Sequence, residues 1–252
     1  VSRFGSPDSA RAQGLDPLNP DSFRNPMPAP GQDGFLGAFE PNGEPFQINT
    51  IPADRQITGG TADYMNLYHI RQNGKSWYNP VLRVRSGEQV AATLNNELTQ
   101  PTIIHWHGMH VDWKNDGHPS DAIETGESYQ YDFQIQNRGG IYWYHPHPHG
   151  MTGSQVARGL ASLLLVEDER DDRLRDALDL EFGVTELPLV IQDRKIMENG
   201  DVLYNPNPME AFLGYHGDTI FSNYTAGAST DVDTRIYRLR ILNGSNTRAY
   251  GL

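Results

Sequence analysis

Two short stretches of this 252-residue sequence concentrate side chains able to hold a metal ion. Ile103-Ile-His-Trp-His-Gly108 sets His105 and His107 two residues apart, and Tyr142-Trp-Tyr-His-Pro-His-Pro-His-Gly150 does the same with His145, His147 and His149. Alternate residues of an extended strand point to one face, so each stretch can aim two imidazoles at one spot. Two such strands, once paired, converge four neutral imidazoles, a donor set that suits copper, zinc, iron or nickel. Five of the nine histidines fall in these windows, more than aromatic strands with incidental histidines would carry.

The surrounding pattern is that of a β protein. The chain holds 25 glycines and 17 prolines with 37% apolar residues, a turn-rich composition that fits an all-β fold better than a helical one. Period-2 alternation over Phe46–Ile51, Tyr64–Ile70 and Ser128–Ile135 predicts strands, and Asn73-Gly74 predicts a tight hairpin turn. Leu160–Val166 is a continuous apolar run, as a strand buried on both faces would show. The spacing divides the chain into an extended, proline-rich N-terminal arm over 1–45, a β-sandwich or barrel over 46–167, a charged linker over 168–184 and a second β unit over 185–252. Phe23, Phe35, Phe39 and Phe46 argue that the arm docks on the body, and the acidic run 167–179 reads as a solvated linker with a helical turn or two. The last unit has too few strands for a second sandwich, so the chain is expected to end inside a domain.

The net charge of −12, without a block of Lys or Arg, argues against nucleic acid or an anionic membrane surface as a partner. With no cysteine, the chain itself offers no disulfide, thiolate metal site, iron–sulfur ligand or Cys nucleophile. No apolar run is long enough to span a bilayer. No signal peptide is visible.

The motifs resemble the first cupredoxin domain of multicopper oxidases, in the bacterial laccase and cuprous-oxidase branch. The resemblance runs from about Pro80 to Val166, through His-Trp-His-Gly108, Trp143-Tyr-His-Pro-His-Pro-His-Gly150 and Gln155-Val-Ala-Arg-Gly-Leu160. It continues more faintly in Leu187-Pro-Leu-Val-Ile-Gln-Asp-Arg194, Gly217-Asp-Thr219 and Arg238-Leu-Arg-Ile-Leu-Asn-Gly244. It implies a cupredoxin-like Greek-key β-sandwich, one complete domain plus the start of a second. His105 is then expected on a type 2 copper, His107 and His145 on one type 3 copper and His147 on the other. Asp116 would relay protons to bound oxygen. Trp106 would point away and pack, and His149 would sit behind the ligands near the water or oxygen path. The implied activity is one-electron oxidation of a small substrate coupled to four-electron reduction of dioxygen to water, in an extracytoplasmic setting, periplasmic or secreted.

The family's trinuclear copper cluster uses eight histidines and its type 1 copper a cysteine. A C-terminal portion of the same oxidase, as cleaved remainder or separate chain, is therefore expected to complete both. Other readings remain. A copper-free scaffold on the same fold would resemble the cell-division relatives of these oxidases. A binuclear zinc hydrolase is suggested by His105, His107 and His110, but Met109 stands where its Asp should be. A copper nitrite reductase would carry a Cys in its first domain. His69, His118 and His216 read as ordinary surface or loop residues, and Met109 and Met151 as core fillers.

Overall fold

The computed structural model describes residues 25–28, 34–53, 65–197 and 200–251. Phe23, Tyr64 and Asn199, which the sequence reading used, lie outside the described residues, as does most of the arm.

Three sheets organise the chain. The first has six strands in the order β10-β8-β4-β5-β6-β2, where β2 is Gly34–Phe35, β4 Phe46–Ala53, β5 Met65–Gln72, β6 Lys75–Tyr78, β8 Gln89–Asn96 and β10 Ser128–Gln134. The second has the order β3-β7-β12-β11-β9, with β3 Ala38–Phe39, β7 Val81–Arg85, β9 Ile104–His107, β11 Gly140–Pro146 and β12 Ser162–Glu167. These two sheets enclose the larger apolar core, built from inward residues such as Ile48, Tyr68, Leu94, Trp106, Tyr131, Tyr144, Leu164 and Val166. The arrangement is a β-sandwich, one of the two forms the alternating pattern allowed, and is cupredoxin-like as the family resemblance implied. Asn73 and Gly74 both take positive φ, which the two-residue turn between β5 and β6 requires. From the arm, β2 pairs with β6 and β3 with β7, so residues 34–39 add a strand to each sheet.

The third sheet belongs to the second unit. Its spine is β13 (Glu186–Ile196), flanked by β15 (Thr219–Ser222) and, in parallel, β18 (Arg238–Asn243); β14 (Val202–Leu203) pairs with the C-terminal end of β13, and β16 (Thr225–Ala226) lies outside β15. A further short pair joins β1 (Asn25–Pro26) to β17 (Ala228–Ser229). Three short helices complete the described elements: α1 (Thr152–Ala157), α2 (Glu169–Leu178) and α3 (Pro208–Leu213).

The apolar run of β12 is explained by cover on both faces. Leu164 and Val166 turn into the sandwich core, while Leu163 and Leu165 turn out onto a second cluster with Val190, Phe221, Tyr224 and Leu242. The two β units thus share one strand's worth of buried surface.

The acidic stretch 167–179 is not a solvated tether. Asp168 caps α2 by accepting from the Arg170 and Asp171 amides. Glu167 and Asp171 are buried. Arg175 bonds Glu186 at 2.6 Å and also reaches Glu167. Arg240 bonds the same Glu186 at 2.6 Å and Asp171 at 3.1 Å. On the inner side Asp171 and Arg175 thus pair with the second unit, with Glu167 bonded to Arg175, and hold the helix against it, while Glu169, Arg170, Arg173, Asp176 and Asp179 face solvent.

Candidate metal centre

Strands β9 and β11 lie antiparallel, with Trp143 opposite His107, Tyr144 opposite Trp106 and His145 opposite His105. The two-residue period then sorts the side chains by face. Trp106 and Tyr144 enter the core, both fully buried, while His105, His107, Trp143 and His145 share the outer face. Neighbours hold the strands in place. The Tyr131 hydroxyl donates to the Ile104 carbonyl and accepts from the Ile104 amide, each at 2.9 Å. Gln155 on α1 receives the Thr102 hydroxyl at 2.9 Å and donates to the Pro101 carbonyl at 2.9 Å, which gives the Gln155-Val-Ala stretch its role. The His147 amide donates to Ile103 O at 2.9 Å, extending the pairing beyond the strand.

On that face His105, His107 and His145 present ring nitrogens within 4.8 Å of one another. Two of them define the centre most tightly, with His107 Nδ1 only 3.1 Å from His145 Nε2. The His147 ring lies beside the group, its centroid 5.2 Å from that of His105 and 6.1 Å from that of His145. Its Nδ1 is buried without a hydrogen-bond partner.

Backbone carbonyls set the tautomers. His145 Nδ1 donates to the Pro146 carbonyl at 2.9 Å, which leaves the Nε2 lone pair free. His105 Nδ1 donates to the Asp116 carbonyl at 2.6 Å, which again frees Nε2. Such partners fix ring orientation and raise ligand basicity. The Asp116 carboxylate is 3.4 Å from the same nitrogen and half-exposed. The loop comes this close because residue 117 is glycine. Its φ is +74°, and a Cβ there would stand 1.9 Å from the Ile104 carbonyl oxygen.

Three of the rings, those of His107, His145 and His147, are held neutral. Burial, reinforced by the neighbouring histidines, pushes His145 down to about 3. Burial also lowers His107 and His147. Neutral imidazoles with free lone pairs are what a transition metal needs. Two nitrogens 3.1 Å apart subtend about 100° at an ion bonded roughly 2.0 Å from each, so His107 and His145 can share one ion without rearrangement. The donor set therefore fits copper or another imidazole-binding metal.

The remaining histidines stand apart from this group. His149 is exposed in the turn that follows β11. His110 is exposed, and Met109, the residue before it, is buried in the core, so that face carries no zinc-hydrolase constellation. His118 bonds the Ser120 hydroxyl at 2.8 Å and caps a 3-10 turn. His69 stacks on Tyr78. His216 donates from Nδ1 to Gly214 O. Sequence reasoning assigned no role to the Pro146 carbonyl, to the Asp116 carbonyl or to Trp143. A carbonyl's role leaves no trace in residue type. Trp143 was legible in principle, since it lies two residues before His145 on the same face.

Comparisons with known proteins agree with this picture. The family model described as multicopper oxidase matches residues 59–171. The multicopper oxidase mco of Staphylococcus aureus is 34% identical over 173 residues, which is 69% of this chain and 37% of that protein. The cell division protein FtsP of Escherichia coli is 31% identical over 210 residues, 83% of this chain and 43% of its own length. Among solved structures, the McoA multicopper oxidase of Aquifex aeolicus superposes with a TM-score of 0.77 at 42% identity, over 86% of this chain and 47% of that one. The chain thus spans less than half the length of each of these relatives.

Proposed function

This chain belongs to the multicopper oxidase family, and we propose that it carries half of the family's oxygen-reducing copper site. His105 would hold the type 2 copper, His107 and His145 one type 3 copper, and His147 the other. The remaining histidines and the cysteine of a type 1 site would come from a C-terminal portion of the same oxidase. Bound there, copper supplies reversible one-electron chemistry and the place where dioxygen is reduced to water.

The chain's own residues prepare that place. The 3.1 Å approach of His107 Nδ1 to His145 Nε2 carries the proposal, because it brings two ring nitrogens within reach of one ion. The carbonyls of Pro146 and Asp116 hold the His145 and His105 rings with Nε2 outward. Core packing of Trp106 and Tyr144 keeps β9 and β11 in register, so the four rings stay on one face. The Asp116 carboxylate, half-exposed beside His105, can take a proton from solvent and hold it next to the site. The reductant would be a small electron donor. The setting would be extracytoplasmic.

The likeness to FtsP raises a second reading, a binding protein on the same fold. The converging, neutral histidines favour the oxidase, since a scaffold has no use for them. Metal analysis of the full-length protein, combined with oxygen-electrode assays, separates the two. Copper in the protein and oxygen uptake abolished by His107→Ala are expected. A purified full-length protein that takes up no copper would establish the scaffold instead.

A further inference from the structure

Within β9 and β11, Trp143 is the aromatic residue that shares the metal face with the histidines. Its ring lies 4.1 Å from the His145 ring, centroid to centroid, inclined by 35°. It lies 5.1 Å from the His107 ring, inclined by 34°. The first contact runs along β11, two residues apart. The second crosses to β9, where Trp143 and His107 are directly paired. One indole therefore abuts both members of the closest ligand pair.

The indole is itself backed. On its other side Trp143 pairs with Leu163 of β12 and packs on the cluster that includes Val190, Phe221 and Leu242 of the second unit. A hydrogen bond to the Pro146 carbonyl fixes His145 at one atom, but a single bond leaves the ring free to tilt about it. A terminal ring torsion has a broad energy well, so the tilt needs a second contact. The indole face supplies it. His107 has no carbonyl partner comparable to that of His145 among the described residues, so its tilt depends still more on this contact.

We propose that Trp143 is a positioning residue whose indole, braced by the second β unit, sets the ring planes of His107 and His145 so that both lone pairs meet at one ion. The proposal rests on the copper reading for the identity of the ion, but the ring placement stands without metal.

The test uses the full-length protein with Trp143→Phe, Trp143→Leu and Trp143→Met. Copper affinity is measured by competition with a chelator, and the imidazole nitrogens of the metal-free protein are followed by NMR. Phe keeps an aromatic face and is expected to stay within about threefold of wild type. Leu and Met fill the space without a flat face and are expected to weaken copper binding about tenfold or more, the scale typical of residues that orient metal ligands. In the metal-free Leu and Met variants the His145 and His107 rings should rock, read as averaged imidazole shifts and weakened NOEs to fixed neighbours, while wild type and Phe hold one ring orientation each. Thermal midpoints identify any variant that has unfolded, and the remaining variants then decide.

Equal copper affinity in all folded variants would overturn the proposal, as would a Phe variant as impaired as Leu. If wild type bound no copper, the metal reading would fall, and the NMR comparison alone would then decide the positioning role. Unchanged ring orientations in Leu and Met would end it.

Discussion

Asp116 reaches the site through two different atoms, and substitution can separate them. Its carbonyl orients His105 and its carboxylate faces solvent beside the same ring. Asp116→Asn keeps the carbonyl, so copper content should stay within about twofold while oxygen turnover falls roughly a hundredfold, the usual loss of a general acid. Gly117→Ala does the opposite damage. The added methyl collides with the Ile104 carbonyl, displaces the loop and should lower copper content itself, read by metal analysis. Protonation gives a further check. The folded His145 value is about 3 against 6.5 for an ordinary histidine. Between those values the unfolded chain accepts a proton that the native site refuses. Stability of the metal-free protein should therefore be full above pH 6.5 and fall toward pH 3, by roughly 1.4 kcal/mol for each unit crossed. Urea denaturation at pH 7 and pH 5 measures this, and His145→Gln should flatten the difference. The clustering of the histidines was legible because spacing and side-chain type carry it, whereas Asp116 was singled out only through the family resemblance. The carbonyl contacts were not legible, because they depend on where a loop returns in space.

At the scale of elements, α2 and its ion pairs hold the joint between the β units. Burial opposes ionisation of Glu186, yet the bonds from Arg175 and Arg240 outweigh it and hold the carboxyl below its ordinary range. The stability this group contributes is present above the unfolded value of 4.5. It is lost as pH falls through the lowered folded value. Glu186→Gln removes the carboxylate shared by buried Arg240 and half-buried Arg175, leaving them only Asp171 and Glu167, and should cost about 3 kcal/mol, measured by chemical denaturation at pH 7. The strands of the sandwich were readable from alternation, and the Asn73-Gly74 hairpin from turn chemistry. The joint was misread for a physical reason. A run of mixed charges looks the same whether it faces water or faces its complement, and the complement here lies in Glu186, Arg238 and Arg240. Composition cannot show that pairing.

For the whole molecule, β12 is the shared wall. Leu163 and Leu165 are buried only because the second unit covers them, together with Leu36, Met65, Leu67 and Val81. A version ending after Glu167 should keep the sandwich core but expose this face, and is expected to bind a hydrophobic dye strongly and to self-associate, read by fluorescence and light scattering. Leu163→Ala in the intact chain should cost on the order of 3 kcal/mol. The unbroken apolar run announced a strand buried on both sides, but nothing in the run says what covers the outer face. The same wall has a consequence in time. During synthesis Leu165 emerges about eighty residues before Leu242, its partner across the junction. At cellular elongation rates that is an interval on the order of ten seconds. Through that interval the first sandwich carries an apolar flank whose cover is still incomplete, so how long it stays exposed is set by the pace of synthesis and not by the speed of folding.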